Sequence, residues 1–140
     1  YEPLADDPLG SIARSVDVVA PTHLLVATEF VPRQDGERAM ALLARALAEG
    51  DPALRTAALG GISLLRDRCQ GLPLASFVKP LMLALQEHPD RAEPVMEGLT
   101  RATGQALPPD PRLWVDWWRR ARDTGVGVPR PDASAEREGR

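Results

Sequence analysis

The sequence predicts an all-α protein made of helical hairpins that stack on one another. Two observations carry this prediction. The run Glu37 to Glu49 has its apolar residues at helical spacing and ends at Gly50, and a second helix begins directly after Asp51. The residues that follow, 51–65, are rich in alanine and glycine, which allow neighbouring helices to approach closely. A capped helix placed tightly against a preceding helix is the unit from which stacked helical repeats are built.

The start of this second helix is indicated by Asp51 and Pro52. An aspartate side chain can accept hydrogen bonds from the free amides of a first turn, and proline occupies a position where a missing N–H costs nothing. Its apolar face at helical spacing consists of Leu54, Ala58, Ile62 and Leu65, with Ala57 and Gly61 at the margins. Gly60 and Gly61 cost about 1 kcal/mol each relative to alanine. We interpret them as sites where a neighbouring helix comes too close for a Cβ; a kinked helix is the alternative.

The other elements follow the same signals. Asp7 and Pro8 begin a helix over residues 8–20, and a further helix spans Leu74 to Glu87. Residues 22–31 suit either a helix or a strand, and the helical context favours the helix. Asp90 is predicted to cap the next helix, which keeps Pro94 within its first turn. The two clear helix pairs superpose with an offset of about 37 to 38 residues, within the range of helical repeats, and residues 7–31 are a candidate for a degenerate third pair.

Residues 51–59, D-P-A-L-R-T-A-A-L, resemble the second-helix signature of a HEAT repeat, particularly the short bacterial versions. In that family the position of Arg55 commonly reaches toward neighbouring turns. A second stretch, residues 99–104 followed by Asp110-Pro111 and three tryptophans, resembles the closing element of bacterial HEAT-like proteins. The resemblance implies a right-handed helical-hairpin solenoid of about two to three helix pairs with a C-terminal capping helix. It would form one domain over residues 1–124, and the polar, proline-containing segment 125–140 is predicted to be a disordered tail.

HEAT-like proteins bind other proteins or act as scaffolds more often than they catalyse. The resemblance therefore implies a non-catalytic module that binds another protein along the groove between successive second helices. The candidate contacts for a protein partner are Arg55, Arg66, Arg101, Trp118 and Arg122. Trp118 is included because tryptophan and arginine are enriched in binding hot spots. We expect its ring to be exposed beside Arg122; the alternative is that Trp114, Trp117 and Trp118 all bury against the last helix pair.

Two further function classes stay open at this point. The chain could be a HEAT-like enzyme or enzyme subunit, similar to a chromophore lyase or a DNA glycosylase. The second of these requires a positive groove to which Arg119, Arg120 and Arg122 contribute. Alternatively, the chain could form the closing repeats of a larger solenoid, which an exposed apolar patch on residues 8–31 would favour.

Composition argues against several kinds of site. The net charge of −3 disfavours a surface for nucleic acid, and no apolar run approaches the roughly 20 residues needed to span a bilayer, so no membrane insertion is expected in this segment. His23 and His88 lack a second ligand at metal-binding spacing, and we expect no catalytic, metal-binding or cofactor-binding residues. The single Cys69 is expected to be a small packed residue and favours a reducing compartment such as the cytoplasm. Because the chain begins at Tyr1, an export signal or anchor in a preceding segment stays open.

Overall fold

The computed structural model describes residues 7–125, and within this range it contains seven α-helices and no strand. The helices are α1 (Pro8–Asp17), α2 (Pro21–Thr28), α3 (Gly36–Glu49), α4 (Pro52–Arg68), α5 (Leu74–Glu87), α6 (Ala92–Thr103) and α7 (Pro111–Thr124). Short 3-10 turns over Arg33–Asp35 and Pro89–Arg91 precede α3 and α6. The all-α prediction is confirmed. The predicted tail, residues 125–140, lies outside the described range except for Gly125, which ends α7.

Three helices begin as the sequence predicts, at an aspartate followed by proline. The carboxylate of Asp51 accepts a hydrogen bond of 2.8 Å from the amide of Leu54. Asp7 and Asp110 cap α1 and α7 in the same way. Each cap satisfies an amide that has no partner within its own helix, and the proline that follows fixes a helical φ angle.

The predicted cap at Asp90 is wrong. Helix α6 begins at Ala92, two residues after Asp90. Arg91 occupies its N-cap position, and no side chain caps it. Asp90 lies inside the 3-10 turn, which is closed by a bond of 2.9 Å from the amide of Arg91 to the carbonyl of His88. A capping residue needs a non-helical conformation, which a position inside this turn does not provide. Pro94 nevertheless lies in the first turn of α6, as predicted.

The structure decides between helix and strand for most of residues 22–31. Residues 22–28 belong to α2, so the helical interpretation is confirmed up to Thr28. Helix α1 ends at Asp17, earlier than the predicted residue 20, because Val19 has a φ of 55°. This left-handed conformation ends a helix and is costly for a β-branched residue. The Val19 side chain is accordingly 47% exposed rather than on the apolar face of α1.

The helices pack in two rows. In one row α1 contacts α3, α3 contacts α5, and α5 contacts α7; in the other row α2 contacts α4 and α4 contacts α6. The rows are joined by the hairpins α1–α2, α3–α4 and α5–α6. The core lies between the rows, and its largest fully buried side chains are Trp114, Phe77, Ile12, Leu24, Met40, Leu43, Leu47, Leu54, Ile62, Leu65, Leu81 and Met82.

Glycines mark the closest approaches between helices. A Cβ on Gly61 would lie 3.2 Å from Leu43 of α3 and 3.3 Å from the hydroxyl of Thr28 in α2, which agrees with the predicted close packing of α4. Gly98 of α6 also leaves no room for a Cβ, and sequence reasoning missed this residue. A Cβ there would lie 2.6 Å from Leu47 and 3.1 Å from Ile62, so α6 sits against both α3 and α4.

Candidate functional site

A cleft lies between the second helices of the two clear hairpins, along the first half of α4 and most of α6. Its volume is about 560 Å³. One wall comes from α4, the other from α6, and the segment that leads into α7 closes one side. The lining residues are Pro52, Arg55, Thr56 and Leu59 of α4, Glu93, Pro94, Met96, Glu97 and Thr100 of α6, and Leu107, Pro109 and Trp114. This is the groove between successive second helices in which the sequence predicts binding.

Arg55 is the predicted site residue that the structure places in this cleft. It is half-buried, and within residues 7–125 no carboxylate lies within ion-pair distance of its guanidinium. Glu93 and Glu97, which sequence reasoning did not select, line the opposite wall and are exposed. Neither glutamate is paired with Arg55 or with another cation of the described chain. The cleft therefore presents separate positive and negative groups.

The two threonines of the cleft direct their hydroxyl protons back into their own helices. The hydroxyl of Thr56 donates to the carbonyl of Pro52 at 3.0 Å, and that of Thr100 donates to the carbonyl of Met96 at 3.2 Å. Bonds of this kind to the preceding turn are common for threonine in helices. The charged side chains are consequently the main groups in the cleft that can recognise a ligand.

Arg66 lies in the last turn of α4, and Arg101 lies in the last turn of α6. The Nη1 atom of Arg66 donates to the main-chain carbonyl of Arg101 at 3.3 Å. A Cβ on Gly104, which ends α6 with a φ of 75°, would lie 3.0 Å from the guanidinium of Arg66. Cations near the last carbonyls of a helix are stabilising. Arg66 thus joins the ends of α4 and α6, whereas the Arg101 side chain is exposed.

Trp118 and Arg122 lie on α7, and neither lines the cleft that contains Arg55. The indole Nε1 of Trp118 donates to the carbonyl of Ala75 in α5 at 3.1 Å, and the guanidinium of Arg122 lies 4.2 Å from the ring centroid. The ring is half-buried, which differs from the expected exposure. Trp114 is only 1% exposed and makes an edge-to-face contact with Trp117 at 5.7 Å between centroids. The tryptophans therefore attach α7 to the preceding helices, and binding at Trp118 stays a prediction.

A smaller groove of about 220 Å³ lies in the other row, between α3 and α5. Alanines of both helices, Pro80 and Leu83 line it together with four polar or charged side chains, namely Arg45, Glu49, Glu87 and His88. Leu83 is 42% exposed. Sequence reasoning missed this groove, although alanines at helical spacing are the signal that could have indicated it.

Cys69 is buried at the end of α4, as the sequence predicts. Burial raises the pKa of its thiol, and the charges of Arg33 and Arg68 oppose this shift without overcoming it. The protonated thiol is therefore the stable form, whereas a nucleophilic cysteine needs surroundings that stabilise the thiolate. A search of residues 7–125 finds no group of three or more histidine, cysteine, aspartate or glutamate side chains placed to bind a metal.

Comparisons of the chain with known protein families, with curated proteins and with solved structures each found no match. The resemblance to HEAT repeats thus depends on the quoted residues alone and stays a prediction. In the part of the chain that the structure describes, every helix is too short or too polar to cross a membrane.

Proposed function

We propose that this chain is a non-catalytic, HEAT-like helical-repeat module that binds another protein in the cleft between α4 and α6. The observation that carries the proposal is the cleft itself. It lies between successive second helices, and it contains a half-buried arginine that has no ion partner among residues 7–125. Arginine is enriched at the energetic centres of protein interfaces.

The packing of the helices supports the HEAT-like part of the proposal. A solenoid of helical hairpins requires first helices to pack on first helices and second helices on second helices. The contacts of α1, α3 and α5 in one row and of α2, α4 and α6 in the other follow this rule. Helix α7 contacts α5 and covers the end of the first row, which is the position of a capping helix.

The charge of the cleft favours a protein partner over the DNA glycosylase-like alternative. A base-flipping enzyme needs a positive groove, whereas this cleft contains one arginine and two glutamates. Arg119 and Arg120 are exposed on α7 and do not line it.

The alternative of a larger solenoid depends on the apolar surface of residues 8–31. Val18, Val19 and Phe30 are 72%, 47% and 42% exposed. The two valines precede α2, and Phe30 follows it. These exposed side chains are the feature that favours a larger solenoid, whereas the cleft combines apolar and charged groups and is the better-supported binding surface.

The proposal is tested by affinity capture from a lysate of the organism that encodes the chain. An Arg55→Glu variant reverses the charge in the cleft, whereas Arg38→Glu makes the same change at an exposed position of α3 away from it. We expect a specific protein to be retained by the wild type and by Arg38→Glu, and lost from Arg55→Glu. Circular dichroism confirms equal helix content before the comparison.

A partner that all three chains retain equally would contradict the assignment to the cleft. In that case Trp118→Ala and Arg122→Ala test the second predicted surface. The absence of any specific partner, with all chains folded, would contradict the proposed function as a whole.

A further inference from the structure

The acidic wall of the cleft is formed by two side chains on adjacent turns. Glu93 and Glu97 are four residues apart in α6, both are exposed, and no lysine or arginine of residues 7–125 lies within ion-pair distance of either. Residues at this spacing lie one above the other on a helix surface, and like charges there repel. A cationic side chain placed between the two carboxylates would relieve this repulsion and pair with both.

Arg55, on the α4 wall of the cleft, requires a negative charge on the partner. Arg55 is already half-buried, and a partner seated in the cleft would remove more of its guanidinium from water. Burying a charge without a counterion is costly. A partner that covers Arg55 must therefore bring a carboxylate.

Apolar side chains also line the cleft. Leu59 of α4, Met96 of α6 and Leu107 line the cleft, and Trp114 contributes to it while being almost completely buried. A non-polar side chain of the partner can cover this surface and remove it from water, which contributes about 25 cal/mol per Å² of apolar area.

We infer that the partner presents a short linear segment in which a basic and an acidic side chain flank an apolar anchor. The basic side chain pairs with Glu93 and Glu97, the acidic side chain pairs with Arg55, and the anchor covers the apolar side chains that line the cleft. The inference deepens the proposed function and rests on it. A polyanion or polycation fits less well, because each would meet a like charge on one wall.

The test uses a phage-displayed library of random short peptides, selected on the full chain at low ionic strength. Enriched sequences are then synthesised with a fluorophore, and their affinities are measured by fluorescence polarisation. The variants are Arg55→Gln and the double change Glu93→Gln with Glu97→Gln. Glu87→Gln is the matched control, because Glu87 is exposed on α5 and lines the α3–α5 groove rather than the cleft.

We expect enriched peptides to contain a basic residue, an apolar residue and an acidic residue. Each cleft variant should weaken binding by at least about tenfold, which corresponds to about 1.4 kcal/mol, whereas Glu87→Gln should leave affinity unchanged. Replacing the basic residue of the peptide with glutamine should produce no additional loss in the double glutamate variant. That non-additivity identifies a direct pairing.

Two results would overturn the inference. The first is enrichment of peptides with only one sign of charge, or with affinities that neither cleft variant changes. If a Thr100→Trp substitution, which places a large ring at a half-buried position inside the cleft, abolishes binding of such peptides, cleft recognition stands and only the charge rule fails. The second is a selection that yields no binding peptide while the chain is folded; the proposed function is then decided by the lysate capture alone.

Discussion

Gly98 has a role that depends on three other helices. An added Cβ would approach Leu47 of α3, Ile62 of α4 and Leu81 of α5, and all three side chains are fully buried. Gly60 provides a contrast within the same fold: among residues 7–125, an added Cβ there would approach only Leu25, at 3.0 Å, and that side chain is half-buried. A methyl group can therefore be accommodated at one glycine but not at the other.

We expect Gly98→Ala to lower the free energy of unfolding by up to about 2 kcal/mol. Overpacking costs about 1 to 3 kcal/mol, which exceeds the gain in helix propensity of about 1 kcal/mol. Gly60→Ala should be neutral or stabilising, because the propensity gain remains and Leu25 can rotate away. Urea unfolding followed by circular dichroism measures both variants. The reverse order of stabilities would contradict the packing of α6 against α3 and α4.

Some residue roles could not be predicted from the sequence because they arise from packing between distant segments. Arg55 was selected through the resemblance of residues 51–59 to the second helix of a HEAT repeat. Glu93 and Glu97 were missed because their position opposite Arg55 depends on how α6 stacks on α4. Arg66 was predicted as a partner contact, but its bond to the carbonyl of Arg101 shows that it also joins two helix ends.

At the scale of elements, local signals predicted most of the helices. The caps at Asp7, Asp51 and Asp110 require only an aspartate, a proline and the first turn that follows. The predicted cap at Asp90 is wrong because this residue lies inside the 3-10 turn Pro89–Arg91, which the sequence analysis did not predict. The periodicity of residues 22–31 did not decide between helix and strand. In the structure, α2 packs against α1 and α4.

Helix α7 is attached through a hydrogen bond that a single substitution can remove. Trp118→Phe keeps a ring but deletes the indole N–H that donates to the carbonyl of Ala75. We expect a loss of about 1 kcal/mol in the free energy of unfolding, the usual net contribution of one hydrogen bond. Arg120→Ala is the control, because Arg120 is exposed and should change stability by less than about 0.5 kcal/mol. Equal unfolding curves for Trp118→Phe and the wild type would show that this bond does not stabilise α7.

At the scale of the whole molecule, each row of helices carries a groove. The groove of α3 and α5 is smaller. Alanines, Pro80 and Leu83 line it together with Arg45, Glu49, Glu87 and His88, and Arg45 is paired with Asp17 and Glu49. The groove of α4 and α6 is larger, and it combines an apolar surface with charges that have no partner in residues 7–125. A surface that leaves such groups unpaired gains more from a complementary partner than one whose charges are already neutralised. This difference assigns the proposed binding to the α4–α6 side.

Site-specific photo-crosslinking tests that assignment most directly. A benzophenone amino acid replaces Thr56, which is exposed at the cleft, or Ala41, which is exposed in the α3–α5 groove. After irradiation in a lysate of the source organism, our account predicts a specific crosslinked protein from position 56 that disappears when Arg55→Glu is added, and no such product from position 41. The same product from position 41, or a product from position 56 that persists in the Arg55→Glu chain, would contradict binding in the α4–α6 cleft.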